Sequence, residues 1–196
     1  MLQGGGSYGP DVRVDAGAWV HPTAQLYGQV SVAEGASVWP NVVARAETHE
    51  VSIGARTNIQ DFVMIHVGAG VGTIVGEDCS ITHHVTLHGC TIGDRVLVGI
   101  GATIMDGCVI GENSIIAGHA FLKEGTVIPP NSIVMGAPGS VARTRNNAVA
   151  NVFNAWMYRE NARAYAAGEH RHWSSPEFAA AAAAERARLM ALYSGQ

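Results

Sequence analysis

The segment CSITHHVTLHGC, residues 79–90, places three histidines within six positions and a cysteine at each end. Imidazole and thiolate groups are ligands of zinc and related metals, so this composition raises the question of a metal site. His83 and His88 are five residues apart, and neither a helix nor a flat strand turns side chains at that spacing to the same side. If both histidines bind one ion, an unusual backbone or a second chain must be involved.

The elements that must position these residues follow a repeat of six. From Ile92 an aliphatic residue recurs at every sixth position, and the same spacing extends upstream with three irregular steps. Six residues fit one short strand and a bend, and three such units make one triangular coil of a hexapeptide β-helix. An ordinary β-sandwich would have to reproduce this period by accident. We therefore predict a mainly β fold of about seven coils, in which these residues point inward: Val14, Val20, Leu26, Val32, Val38, Ala44, Ile53, Ile59, Ile65, Val75, Ile81, Leu87, Ile92, Val98, Ile104, Ile110, Ile116, Leu122, Ile128 and Val134.

The irregular steps all fall at one corner of the triangle, between its third and first faces. The outward residues just before them are Arg45, His66 and His88. These three residues should stack in a column, with neighbouring coils about 4.8 Å apart. Two imidazoles at that separation can both reach a metal at about 2.0–2.1 Å per bond.

His83 lies on the second face, around the corner from this column. A head-to-tail association that closes into a ring would bring it to the column of a neighbour, and a triangular prism suggests three subunits. We therefore predict a site shared between chains. His84 alternates away and is interpreted as a surface residue or as one that supports a metal ligand without binding the ion. His119 lies on a regular repeat and is interpreted as structural.

Three segments, IGARTNIQDFVMIHV, THHVTLHGCTIGDRVLVGIGATIMDG and VMGAPGSVAR, resemble the γ-class carbonic anhydrases over roughly residues 12–165. The resemblance implies a left-handed parallel β-helix of hexapeptide repeats, a homotrimer, and a lyase (carbonate dehydratase) that converts CO₂ and bicarbonate. It also implies three metal ligands, His66, His83 and His88, with two from one subunit and one from its neighbour. Zinc is the expected ion, and imidazole ligands also suit Fe²⁺ or Co²⁺.

The resemblance assigns further roles around the metal. Gln60 and Asn58 correspond to the element that orients metal-bound hydroxide, and Tyr165 to a tyrosine of the C-terminal helix. Arg45 corresponds to an interface arginine, with Glu47 or Asp61 as its partner; these three are implied as interface or structural residues. No residue is predicted to bind an organic cofactor.

Two departures from the family pattern bear on activity. The sequence RAE, residues 45–47, stands where the family usually has RGD, and the short loop VGAGVGT, residues 67–73, carries no acidic proton shuttle. A metal-binding homologue with little CO₂ activity, acting as a scaffold or on an acyl thioester, is therefore one alternative. A hexapeptide-repeat acyltransferase with His119 as its base is another.

The composition bears on the partners and the cellular location of the protein. The net charge of −4 and the lack of a basic run argue against a nucleic-acid partner. No apolar stretch reaches the roughly 18 residues of a membrane span, and MLQGGGSYGP does not have the pattern of a secretory signal. Three cysteines without a CxxC pair favour reduced thiols and a cytoplasmic location.

The predicted organisation has four parts. Residues 1–11 form a lead-in, residues 12–140 the β-helix, residues 146–168 a helix packed along it, and residues 174–194 a second helix. Ser175 is the expected N-cap of the second helix, with Pro176 at its first position.

Overall fold

The structure, a computed structural model, describes residues 7–193. Residues 1–6 of the predicted lead-in and residue 194 of the predicted second helix lie outside the described residues. The chain forms a parallel β-helix of about seven turns followed by two helices, which confirms the predicted fold class.

Short strands line the three faces of each coil, and we number the strands in chain order. The first face holds β2 (Arg13–Val14), β9 (Thr73–Val75), β12 (Thr91–Ile92), β15 (Val109–Ile110) and β18 (Val127–Ile128). The second face holds β3 (Trp19–Val20), β5 (Ser37–Val38), β7 (Asn58–Ile59), β10 (Ser80–Ile81), β13 (Leu97–Val98), β16 (Ile115–Ile116) and β19 (Ser132–Gly136). The third face holds β1 (Ser7–Tyr8), β8 (Met64–His66), β11 (Thr86–His88), β14 (Thr103–Ile104) and β17 (Phe121–Leu122). Two long strands, β4 (Gln25–Val32) and β6 (Val43–Ile53), run from the third face to the first.

The third and first faces are therefore joined into one twelve-stranded sheet, and the second face belongs to an eight-stranded sheet. Successive coils pair in parallel, and β20 (Gly139–Thr144) turns back to pair antiparallel with β19. The hydrogen-bonded path of the larger sheet ends at β17 and β18, both on the last coil.

The predicted inward residues form the core. All of them are buried except Val14, which is 37% exposed. Val14 is in register with the buried Val32, but it lies on the first coil, where the aliphatic stack ends and, within residues 7–193, no further coil covers it. Cys79, Cys90 and Cys108 are free thiols buried in the same interior.

The corners turn through left-handed backbone. His84 has a φ of 59° and His119 a φ of 57°, a region in which a non-glycine residue is uncommon. Both side chains are exposed. These two histidines occupy the turn position of a regular coil, as expected of structural or surface residues.

The first helix, α1 (Ala148–Ala166), packs over the second face, against β3, β5, β7 and β10. The helix of this chain therefore covers the part of the second face formed by these four strands, and His83 lies at the corner just beyond β10. A short 3₁₀ turn (His172–Ser174) leads to α2 (Pro176–Leu192), which packs on α1.

The start of α2 follows from its sequence. The Oγ of Ser175 accepts a hydrogen bond from the backbone N–H of Phe178 at 3.1 Å, and Pro176 occupies the first helical position. The predicted N-cap is confirmed. Neither α1 nor α2 has the combination of length and apolar character that a membrane-crossing helix needs.

Candidate metal centre

Arg45, His66 and His88 stack on three consecutive coils. Arg45 of β6 lies opposite His66 of β8, and His66 lies opposite His88 of β11. The predicted column is confirmed. We refer to these three residues together with Glu47 and Asp106 as the histidine corner.

The two imidazoles of the column face each other through ring nitrogens. His66 Nδ1 lies 3.1 Å from His88 Nε2, and the ring centroids are 5.0 Å apart. Two nitrogens bound to one tetrahedral zinc ion at about 2.1 Å each are separated by roughly 3.4 Å. Both side chains are about one quarter exposed. The pair therefore has a spacing and an access that suit a shared metal ion.

Glu47 holds the remaining ring nitrogen of His66. Its Oε2 lies 3.1 Å from His66 Nε2, and its other carboxylate oxygen pairs with the Arg45 guanidinium. A hydrogen bond from its own backbone N–H, the charge of Arg45 and the contact with His66 lower the pKa of Glu47. Glu47, implied by resemblance as an interface residue, thus bridges Arg45 and His66 within one chain.

Asp106 holds the remaining ring nitrogen of His88. His88 Nδ1 donates a hydrogen bond to Asp106 Oδ1. Asp106 lies two residues after the end of β14, the strand that pairs with β11 on the next coil. Sequence reasoning missed this residue, because Leu87 pairs with Ile104 and the position in line with His88 is therefore 105 rather than 106.

His83 belongs to a second group, at the corner that follows the second face. Its Nδ1 lies 3.1 Å from Asp61 Oδ2, and its side chain is 37% exposed. Gln60 and Asn58, both buried, adjoin Asp61: Gln60 Nε2 donates to Asn58 Oδ1 at 2.9 Å. We refer to Asn58, Gln60, Asp61 and His83 as the His83 edge.

The structure thus distributes the predicted site residues over two corners of the chain. His66 and His88 lie together, whereas His83 lies on the other corner. Across residues 7–193, no three histidine, cysteine, aspartate or glutamate side chains form a group that could hold a metal. One chain by itself presents two facing imidazole ligands at the histidine corner.

Tyr165 lies in neither group. It packs edge-on against Trp19 and Trp39, with ring centroids 6.0 and 5.0 Å away. Another tyrosine of α1, Tyr158, is influenced by the charge of the His83 edge. Burial, and to a smaller extent the charge of Asp61, raise the pKa of Tyr158 to about 12. Sequence reasoning did not single out Tyr158.

The donor set fits a metal in its chemistry. Each of the three histidines named by the resemblance contacts one carboxylate: Glu47 for His66, Asp61 for His83 and Asp106 for His88. A carboxylate on one ring nitrogen orients the imidazole and leaves the other nitrogen for a metal. Three such histidines with an open fourth position are typical of a catalytic rather than a structural zinc site.

Comparisons with known proteins agree with this fold. Residues 89–124 match the family model of the bacterial transferase hexapeptide (six repeats). Over 94 residues the chain is 45% identical to the Escherichia coli protein YrdA, a match that covers 44% of this chain and 51% of YrdA. Over 97 residues it is 41% identical to the mitochondrial γ carbonic anhydrase 3 of Arabidopsis thaliana, which covers 46% of this chain and 38% of that protein. The chain spans about half, or less, of the length of these curated relatives.

A solved structure extends the likeness to most of the chain. The product of the Bacillus cereus BC4754 gene, which is assigned as an acetyltransferase, superposes with a TM-score of 0.77 at 30% identity. The superposition covers 80% of this chain and 92% of that one.

Proposed function

We propose, from its membership of the hexapeptide-repeat family and its similarity to γ carbonic anhydrases, that this chain is a metal-dependent carbonic anhydrase. The reaction would be the reversible hydration of CO₂ to bicarbonate. The observation that carries the proposal is the facing pair of His66 and His88, whose ring nitrogens are 3.1 Å apart and whose outer nitrogens each meet a carboxylate.

His66, His83 and His88 would hold the ion, which we propose to be Zn²⁺, with Fe²⁺ or Co²⁺ as ions that imidazole also suits. The bound ion would supply Lewis acidity, which in carbonic anhydrases is known to bring the pKa of water to about 7. Glu47 and Asp106 would hold the two imidazoles of the histidine corner in place, and Arg45 would hold Glu47.

The residues of the His83 edge would act on the reactants. Gln60 would orient the reacting water through its side-chain amide, and Asn58 would position Gln60 through the 2.9 Å hydrogen bond between them. The assignment of Tyr165 to the site stays a proposal that rests on the resemblance.

We propose that the complete site forms between subunits of a homotrimer. The two corners carry complementary parts, two facing histidines on one and a partly exposed histidine on the other. A head-to-tail contact would bring the His83 edge of one subunit to the histidine corner of the next, and three such contacts close a ring. Arg45, Glu47 and Asp61 would line that contact. A cytoplasmic location also stays a prediction, supported by the free thiols.

The decisive experiment is stopped-flow CO₂ hydration by protein loaded separately with Zn²⁺ and Fe²⁺, beside His88→Ala. We expect a rate above background that is lost in His88→Ala. The matched control is His119→Asn, which changes a histidine at a regular corner and keeps a residue suited to its left-handed backbone. A loaded protein with one ion per subunit and no rate above background would refute the proposal.

Sharing between subunits has its own test. His66→Ala and His83→Ala each remove one part of the site, so each homotrimer should be inactive. Coexpression of the two variants should restore about a quarter of the sites, because random assembly of a trimer pairs an intact corner with an intact edge at that frequency. Recovery of no activity in the mixture would indicate that both parts come from one chain.

The likeness to the Bacillus cereus protein favours a second candidate, an acyltransferase of the hexapeptide-repeat class. His119, exposed at its corner, would be its base. Calorimetric titration with acetyl-CoA distinguishes the candidates. Micromolar binding that His119→Asn reduces would favour the acyltransferase, and acyl-thioester binding without CO₂ hydration would favour a metal-binding homologue of different activity.

A further inference from the structure

We propose that Asp106 is a positioning residue that fixes the orientation and tautomer of His88, and that Gly68 and Gly89 form the seat of its carboxylate. The inference rests on the proposed function, because the orientation of His88 matters for holding an ion. It concerns residues of one chain and does not depend on the neighbouring subunit.

The seat is defined by the space that two glycines leave open. A Cβ atom at Gly68 would lie 2.8 Å from both Cγ and Oδ1 of Asp106, and one at Gly89 would lie 2.8 Å from Oδ1. Cβ atoms essentially never approach other heavy atoms closer than 3.0 Å. A side chain at either position would therefore displace the carboxylate from His88. Gly89 also has a φ of 54°, in the region that favours glycine.

The backbone around the seat is fixed by hydrogen bonds between coils. The N–H of Gly89 donates to the carbonyl of His66 at 3.1 Å, and the N–H of Gly107 donates to the carbonyl of Gly89 at 2.8 Å. The loop that carries Gly68 closes through a hydrogen bond from its N–H to the carbonyl of Val71 at 2.9 Å. The carboxylate of Asp106 is thus placed by three neighbouring segments of backbone.

This placement selects one tautomer of His88. A carboxylate accepts hydrogen bonds and cannot donate one, so Nδ1 of neutral His88 carries the proton. Its Nε2 then keeps the lone pair and points it at His66 Nδ1, 3.1 Å away, where an ion shared by the two rings would lie. The short loop at residues 67–73 carries no acid, and Asp106 brings one to the same place from the next coil.

Another corner has the same arrangement of an aspartate over a glycine, but there the aspartate binds a backbone N–H instead of a histidine. Asp94 Oδ1 accepts a hydrogen bond from the backbone N–H of Glu77 at 2.9 Å. A Cβ atom at Gly76 would lie 2.4 Å from the same oxygen. Asp94 and Gly76 thus repeat the arrangement of an aspartate over a glycine, with a purely structural partner. Asp94→Ala therefore serves as the control for Asp106→Ala.

The experiment compares Asp106→Ala, Asp106→Asn, Gly68→Ala and Asp94→Ala with the wild-type protein. The first readout is the tautomer of His88, measured by ¹⁵N NMR of the imidazoles in metal-free protein at mildly alkaline pH, where imidazole is neutral. The second is zinc affinity, measured by competition with a chelator. Unfolding curves of each variant establish that it is folded.

We expect Asp106→Ala and Gly68→Ala to shift His88 toward the Nε2–H tautomer and to weaken zinc binding about 10- to 100-fold. Asp106→Asn keeps an oxygen acceptor and should keep the tautomer while losing part of the affinity. Asp94→Ala should change neither readout. If Asp106→Ala does not fold, Gly68→Ala and Asp106→Asn still give both readouts.

An unchanged tautomer and affinity in Asp106→Ala and Gly68→Ala would overturn the inference, whatever the fate of the proposed function. Wild-type protein that binds none of Zn²⁺, Fe²⁺ and Co²⁺, with a tautomer that shifts in Asp106→Ala, would sustain the inference and refute the proposed function. An equal loss of affinity in Asp94→Ala would show a general structural effect and would also overturn the inference.

Discussion

The histidine corner and the α1-covered second face are built from the same six-residue unit, yet they differ in every property that matters for chemistry. At the corner the repeat is broken, the imidazoles are partly exposed, and their ring nitrogens face each other or carboxylates. On the second face the repeat is regular, and an aromatic cluster of Trp19, Trp39, Tyr158 and Tyr165 joins the sheet to α1.

This contrast indicates that regular and irregular positions of the β-helix have different roles. Regular coils bury aliphatic stacks and offer few polar groups to a ligand, whereas each irregular step at the corner places a polar side chain beside that of the next coil. Stability should therefore depend on the regular positions, and ion binding on the irregular ones. The predictions that follow test this separation in order of their expected effect on the free energy of unfolding.

The sharpest contrast is between two adjacent residues of β11. Leu87 is fully buried and His88 is partly exposed. Leu87→Ala should lower the free energy of unfolding by about 2–5 kcal/mol, the usual cost of deleting a buried leucine side chain. His88→Ala should change it by about 1 kcal/mol or less. Urea unfolding measures both changes. Zinc affinity should fall strongly in His88→Ala and much less in Leu87→Ala. A His88→Ala variant as unstable as Leu87→Ala would show that the corner belongs to the folding core.

The interior under the second face should be sensitive to alkaline pH. Burial raises the pKa of the Cys79 thiol from 9.0 to about 12. The folded protein therefore keeps this proton after the unfolded chain has lost it. The stabilising contribution is complete below pH 9 and declines as the pH rises toward 12, by about 1.4 kcal/mol per pH unit.

Unfolding curves between pH 8 and pH 11 check this decline, and Cys79→Ala should reduce its slope. The slope that remains belongs to other buried groups, among them Cys90, whose pKa burial also raises to about 12. A slope that Cys79→Ala leaves unchanged would contradict the assignment.

The smallest effect on stability is expected at Glu47. Its pair with Arg45 is nearly half exposed on both sides, and exposed ion pairs contribute about 0–1 kcal/mol. Glu47→Gln should therefore change the free energy of unfolding by less than about 0.5 kcal/mol. It should still weaken zinc binding by up to about 10-fold, because the charge beside His66 Nε2 is lost. Equal zinc affinities in the two proteins would show that Glu47 acts only as an ion-pair partner of Arg45.

Much of the β-helix was predictable because its repeat is local. An inward residue at every sixth position fixes the register of each coil on the next, and that register places Arg45, His66 and His88 in a column. The same register accounts for the contact of Asp61 with His83. Ile59 pairs with Ile81, so the residues two positions further on meet at one corner.

Other parts depend on side chains that no period specifies. The partnership of Asp106 with His88 requires the space beside Gly68 and Gly89, and the sequence spacing alone does not show that space. The placement of α1 over the second face, and of Tyr165 among tryptophans, depends on packing between distant segments. The resemblance named three histidines, and the structure supplied the carboxylate that meets each of them.

The end of the twelve-stranded sheet has a consequence for behaviour at high concentration. Its path stops at β17 and β18, whose outward residues Phe121 and Val127 are 39% and 68% exposed. Unpaired strand edges are templates for pairing with another chain, and Gly139 lies against Phe121 and Leu122 at the edge of β17. Each of these edges is only two residues long, so an incoming strand finds few unpaired backbone groups. We expect the solenoid to stay of finite length at high concentration for this reason.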